Sequence, residues 1–201
     1  MIGLLPLFPS NVYHFILEED TNELDPRGFE FLKHGGNTFA SSTKNIRVLE
    51  EYPKTKKIIL NKFKEIAKDL LGYENDFKLS TSWFTKIEKN GYANYNSHRN
   101  CLYSGIYYFG NNYPKGSGKL CFRSNIQQFS DFHIKSNKKD LLSATSWSIK
   151  PEVKKMILFP SYLEHAILEH NEDTIRYSLA FNLYPVGEYG IGDSTHNTDW
   201  K

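Results

Sequence analysis

The sequence predicts a mainly β fold, a sandwich or barrel with a bracing helix, and three observations carry that expectation. From Gly72 onward, short runs of β-type residues alternate with Gly, Asn, Pro and Ser, the texture of many short strands joined by turns. Aromatic residues make up 15% of the chain, with 13 Tyr and 14 Phe, and large rings suit the half-buried faces of strands. One segment carries helical periodicity. At 201 residues the chain can bury a real core, and one domain over 1–201 is expected.

Taken in order, Met1 to Pro9 lacks a basic start, is broken by prolines and shows no small-residue cleavage pattern. Neither a signal peptide nor a membrane span is expected from it. From Pro53 to Leu71, Ile58, Ile59, Phe63, Ile66, Ala67, Leu70 and Leu71 recur at intervals of three and four among lysines. That spacing predicts an amphipathic helix over about 53–71, opened by a proline and closed at Gly72. Its lysine side is a solvated face.

Strands are expected over Phe77–Glu88, Ser104–Phe109, Lys119–Phe122, Thr145–Ile149, Lys155–Phe159 and Ile175–Leu183, placing the β core at about 77–185. Asn111 to Gly118, rich in Asn, Pro and Gly, reads as a loop, and Phe129–Lys139 as an excursion. The polar Gly187–Lys201 tail is expected to be loosely ordered.

The net charge is +2 and the charges are scattered, so no footprint for nucleic acid or an anionic membrane is present. Cys101 and Cys121 are the two cysteines and form no C-x-x-C, which argues against a disulfide framework or a thiolate zinc site and for a reducing, cytoplasmic setting.

Seven histidines are present, and most must be ordinary. His98 lies in Tyr95-Asn96-Ser97-His98-Arg99-Asn100-Cys101, a polar turn feeding the apolar run Ser104-Gly105-Ile106-Tyr107-Tyr108-Phe109. It is either a surface-loop histidine or one that turns a ring nitrogen into a cavity. His165 follows Leu158-Phe159-Pro160-Ser161-Tyr162-Leu163-Glu164, where an apolar strand stops at a proline. His170, in the Glu169–Asp173 turn, is expected to point to solvent. Period-two alternation puts Arg176, Ser178, Ala180 and Asn182 on one strand face. Arg176 then either pairs with a glutamate or points outward, or awaits an anionic ligand, because a desolvated guanidinium without an anion is costly.

These motifs resemble a known family. Ser104-Gly105-Ile106-Tyr107-Tyr108, Leu158-Phe159-Pro160-Ser161-Tyr162-Leu163-Glu164-His165 and Arg176-Tyr177-Ser178-Leu179-Ala180-Phe181-Asn182 are similar, in that order, to motifs of 2-oxoglutarate/Fe(II) oxygenases found in marine bacteria and their tailed phages. The resemblance covers about Trp83 to Asn182. It implies a double-stranded β-helix (jelly roll) and oxidative decarboxylation of 2-oxoglutarate to succinate and CO2. Hydroxylation of a protein or peptide side chain or of a small molecule would accompany it.

It further implies Fe(II) on His98 and His165, and 2-oxoglutarate on Arg176, Ser178 and Tyr108. The superfamily's usual His-x-Asp or His-x-Glu reads His98-Arg99-Asn100 here, and the His-x-His-Pro common in the family reads Asn96-Ser97-His98-Arg99. Either Asn100 or water takes the third metal position, as in aspartyl β-hydroxylases that use two histidines alone, or a ligand has been lost. Asp131 and Asp140 are the carboxylates of the excursion that could complete the site. Rival readings are a non-haem halogenase and a metal-free jelly-roll binding module of a phage.

Overall fold

The computed structural model describes residues 10–124, 137, 141 and 144–198. In chain order the elements are β1 (Tyr13–Ile16), β2 (Phe31–His34), β3 (Asn37–Thr43), helix α1 (Pro53–Glu65), β4 (Asp76–Ile87), β5 (Ala93–Asn96), β6 (Tyr103–Tyr107) and β7 (Leu120–Arg123). They continue with β8 (Ser146–Ile149), β9 (Lys155–Pro160), β10 (His165–Ile167), β11 (Arg176–Tyr189) and β12 (His196–Thr198). The larger sheet runs β1-β9-β6-β11-β4-β3-β2, with β12 paired to β11, and the smaller runs β5-β10-β7-β8. Strand pairs in both are antiparallel. From β5 onward the chain passes back and forth between the sheets, which is the jelly-roll pattern expected.

Strand alternation separates two cores. On β11, Leu179, Phe181 and Leu183 face the helix and join Ile59, Phe63, Phe84 and Leu158. Ala180, on the opposite face, joins Ile106, Tyr108, Leu120, Phe122, Ile157 and Phe159 between the two sheets. On α1, Thr55, Ile59 and Phe63 are buried at four-residue intervals, and Ala67 continues the stripe. Phe63 sits 4.8 Å from the Phe77 ring and 5.1 Å from that of Tyr103. Burying each such side chain contributes roughly 1.5–3 kcal/mol.

The helix begins with Pro53 in its first turn, and the Thr55 N–H donates to Glu23 Oε1 at 2.6 Å, a remote carboxylate at the positive helix end. Its last turn widens into a π-type turn over Ile66–Leu70, and Gly72 at φ 69° ends it as the sequence predicts.

One expectation is corrected. Residues 187–198 are ordered by pairing: Gly187, Glu188 and Tyr189 align with Thr198, Asn197 and His196, because β11 runs past the sheet and offers free backbone donors and acceptors to the returning chain. The excursion after Phe129, with Asp131 and Asp140, lies outside the described residues except Asn137. Strands β1, β2, β3, β5, β10 and β12 extend the predicted set. Most are only three or four residues long, too short for periodicity to reveal.

Candidate active site

Two short strands bring the histidines together. β10 lies between β5 and β7, and His165 at its start is in register with Asn96 on one side and Phe122 on the other. His98 follows two residues after Asn96, and its ring centroid is 5.1 Å from that of His165, with the planes 37° apart. Rings bound to one ion through bonds of about 2.1 Å converge at such a separation.

One turn positions both. The Leu163 carbonyl lies 3.0 Å from His165 Nδ1, so Nδ1 carries the proton and Nε2 keeps its lone pair. The Ser161 carbonyl accepts the His98 backbone N–H at 2.9 Å. The Ser161 hydroxyl shares a 2.9 Å bond with Ser104, which donates to Asn182 Oδ1 at 2.8 Å. Asn182 in turn donates to Thr81 at 2.9 Å.

Burial keeps both rings neutral at physiological pH. Desolvation, helped by the neighbouring His165, lowers the His98 pKa to about 4. Desolvation outweighs the Leu163 hydrogen bond in lowering that of His165. Neutral imidazole is the form that binds metal.

The rings line a cavity of about 380 Å³ that also takes in Trp83, Thr85, Asn96, Phe159 and Asn182. Trp83 stands 5.5 Å from His98 and Phe159 4.7 Å from His165, centroid to centroid. None of its described lining residues is Asp, Glu, Lys or Arg, and among the described residues no three His, Cys, Asp or Glu side chains form a metal cluster.

Arg176 opens β11 and is 2% exposed. One Nη donates to the Tyr108 hydroxyl at 3.0 Å and the other to Ser178 at 3.4 Å, while the Tyr108 ring lies 4.9 Å from its guanidinium carbon. Nε has no hydrogen-bond partner, and no salt bridge to Arg176 forms among the described residues. The hydroxyl protons of Tyr108 and Ser178 also find no acceptor there. Burial raises the Tyr108 pKa, so its proton stays on. Arg176, Ser178 and Tyr108 are not among the cavity's lining residues, but Thr85, in register with Ser178, is.

Thus the structure joins His98 to His165 and Arg176 to Ser178 and Tyr108. Asn100 stands apart: it is exposed, at φ 60°, and is not among the cavity's lining residues. Asn96 is among them. It ends β5 directly opposite His165, a pairing that reading 95–101 as a turn concealed.

His170 corrects an expectation. It is fully buried, its Nδ1 accepting from the Gly118 N–H at 3.3 Å and its Nε2 donating to the Thr174 carbonyl at 2.5 Å. The ring satisfies backbone groups of two loops, which solvent would otherwise have to reach. His34 lines the cavity and was not singled out by sequence. The Gly35-Gly36 pair beside it was the available hairpin signal.

Residues 81–182 match the family described as "Putative 2OG-Fe(II) oxygenase". No curated protein sequence matches the chain. Among solved structures, the fold is similar to HygX from Streptomyces hygroscopicus with nickel, 2-oxoglutarate and hygromycin B bound, at TM-score 0.59 and 9% identity over 88% of this chain and 83% of that one. It is also similar to the epimerase SnoN in complex with Fe3+, alpha-ketoglutarate and nogalamycin RO, at TM-score 0.62 and 10% identity over 87% and 79%. A Pseudomonas putida prolyl-4-hydroxylase gives TM-score 0.52 and 12% identity over 78% of each chain.

Proposed function

The chain belongs to the 2OG-Fe(II) oxygenase family, whose pattern spans half its length, and we propose that His98 and His165 hold the Fe(II) while Arg176, Tyr108 and Ser178 hold 2-oxoglutarate. As a member it is a 2-oxoglutarate-dependent oxygenase. When bound, iron and 2-oxoglutarate supply the oxidising power for C–H functionalisation, and the protein contributes position and polarity.

The observation that carries this assignment is Arg176: a guanidinium 2% exposed, with an unpartnered Nε and two hydroxyls beside it. Such a charge is stable when an anion completes it, and a carboxylate accepts from a planar fork and from both hydroxyls. The two neutral imidazoles fit the metal. For the third protein donor, the amide of Asn96 is better placed than Asn100, since Asn96 lines the cavity and stands opposite His165. This ligand set contributes no negative charge, so 2-oxoglutarate supplies all the anionic character at the metal. Tyr108 and Ser178 orient the far carboxylate, while Trp83 and Phe159 screen the imidazoles from water. The substrate is a small molecule or an amino-acid side chain, and hydroxylation is the outcome proposed.

Anaerobic calorimetry of Mn(II)-loaded protein with 2-oxoglutarate tests the assignment. Arg176→Lys keeps the charge and loses the fork, so 2-oxoglutarate affinity should fall about ten-fold or more while Mn(II) alone binds as before. Unchanged 2-oxoglutarate affinity would remove the pocket from the proposal.

A further inference from the structure

The cavity holds a third histidine that neither the metal nor 2-oxoglutarate uses. His34 ends β2, and its Nε2 is 2.8 Å from Ser42 Oγ. Ser42 is in register with Thr85 on β4, and Thr85 with Ser178 on β11, so the pair lies on the same inner face as the 2-oxoglutarate donors, displaced toward the sheet edge. His34, Gly35 and Ser42 face Ala93 and Asn94 of β5 across the cavity. His34 is not part of a three-residue metal cluster. Ser42 fixes one ring nitrogen, and the other has no hydrogen-bond partner among the described residues. Partial burial lowers the His34 pKa, so the ring is neutral and offers one hydrogen-bonding nitrogen.

The rest of the wall agrees. No described lining residue carries a full charge, while Ser42, Thr85 and Asn94 add polar groups near His34. An ionised substrate group would lose its water without gaining a counter-charge, a cost an uncharged polar group avoids.

Resting on the metal and 2-oxoglutarate assignment above, we propose that His34, oriented by Ser42, is the substrate-recognition residue of this cavity, and that it selects an uncharged hydrogen-bonding group such as a carboxamide. Substrates bearing a carboxylate or ammonium at that point are rejected.

Three probes with one carbon skeleton test this: isobutyramide, isobutyrate and isobutylammonium, each titrated into Mn(II)- and 2-oxoglutarate-loaded protein under argon. Paramagnetic broadening of the probe's methyl resonance reports occupancy near the metal. The amide should bind at least about ten-fold more tightly than either ion, the ratio that an uncompensated charge of modest desolvation cost produces. His34→Phe should abolish that preference and Ser42→Ala weaken it, with Mn(II) and 2-oxoglutarate affinities held. An amide that fails to bind or binds no better than the ions, or a His34→Phe variant that keeps the preference, would overturn the inference. A histidine that merely pins the hairpin would instead lower the melting temperature of that variant and leave the preference intact. Wild-type protein that binds neither Mn(II) nor 2-oxoglutarate would overturn the parent assignment instead, a separate reading of the same titration.

Discussion

A histidine's role is set by what its second nitrogen touches. At His165 a backbone carbonyl takes the Nδ1 proton and leaves a lone pair facing the cavity. At His170 both nitrogens are consumed by backbone groups. His98→Ala and His165→Ala should therefore each abolish tight Mn(II) binding, whereas His170→Ala should lower the melting temperature and leave the folded protein's metal stoichiometry near wild type, as elemental analysis would show. Buried donors and acceptors left unpaired cost about 1–3 kcal/mol each, so the His170 variant should be clearly destabilised. His98 also sets a pH dependence. His98 titrates at about 4 in the folded protein and at about 6.5 when unfolded. Between those values the unfolded chain binds more protons, so stability of the metal-free protein falls as pH drops from about 6.5 and the loss is complete below about 4. Urea midpoints measured across that window should show the slope, and His98→Asn should reduce it.

The turn between β9 and β10 does more than its length suggests. It hands a carbonyl to each histidine and ties its own hydroxyl, through Ser104, to Asn182 on β11, so the spacing of the two rings is referred to the large sheet. That sheet is closely fitted at β6. Gly105 lies in register with Phe181 and with Leu158; an added Cβ would land on the Phe181 ring and 2.8 Å from Leu158 Cδ2. Gly105→Ala should destabilise by about 1–3 kcal/mol, the usual cost of overpacking, read as a lower urea midpoint with an unchanged m-value. Much of this was legible at the level of elements. The long strands β4 and β11 alternate clearly enough to assign their faces, and Pro53 and Gly72 bracket the helix. β5 and β10, which carry Asn96 and His165, were not legible, because three or four residues cannot display a period.

At the scale of the whole molecule, metal and cosubstrate should bind as a coupled pair. In the proposed assignment two imidazoles and an amide would neutralise none of the iron's charge, while 2-oxoglutarate would bring two carboxylates and place one at Arg176. Each ligand should strengthen the other by the same factor, measurable by titrating Mn(II) with and without 2-oxoglutarate. Asn96→Asp should tighten Mn(II) in the absence of 2-oxoglutarate and shrink the coupling, whereas Asn100→Asp, on the exposed turn, should change neither. The reverse pattern would return the third position to Asn100.

What the sequence determined by itself was the β-rich class, the bracing helix, and the ordered motifs that carry His98, His165, Arg176, Ser178 and Tyr108. These are local properties, written in alternation, turn residues and short runs. Tertiary structure alone decided which residues share the cavity. Asn96 rather than Asn100 stands opposite His165 because strand register, a long-range pairing, sets it. His34 enters because β2 and β3 extend the large sheet to face β5, and His170 is buried because two loops meet over it. Each of these depends on contacts between segments far apart in the chain, and no local pattern encodes them.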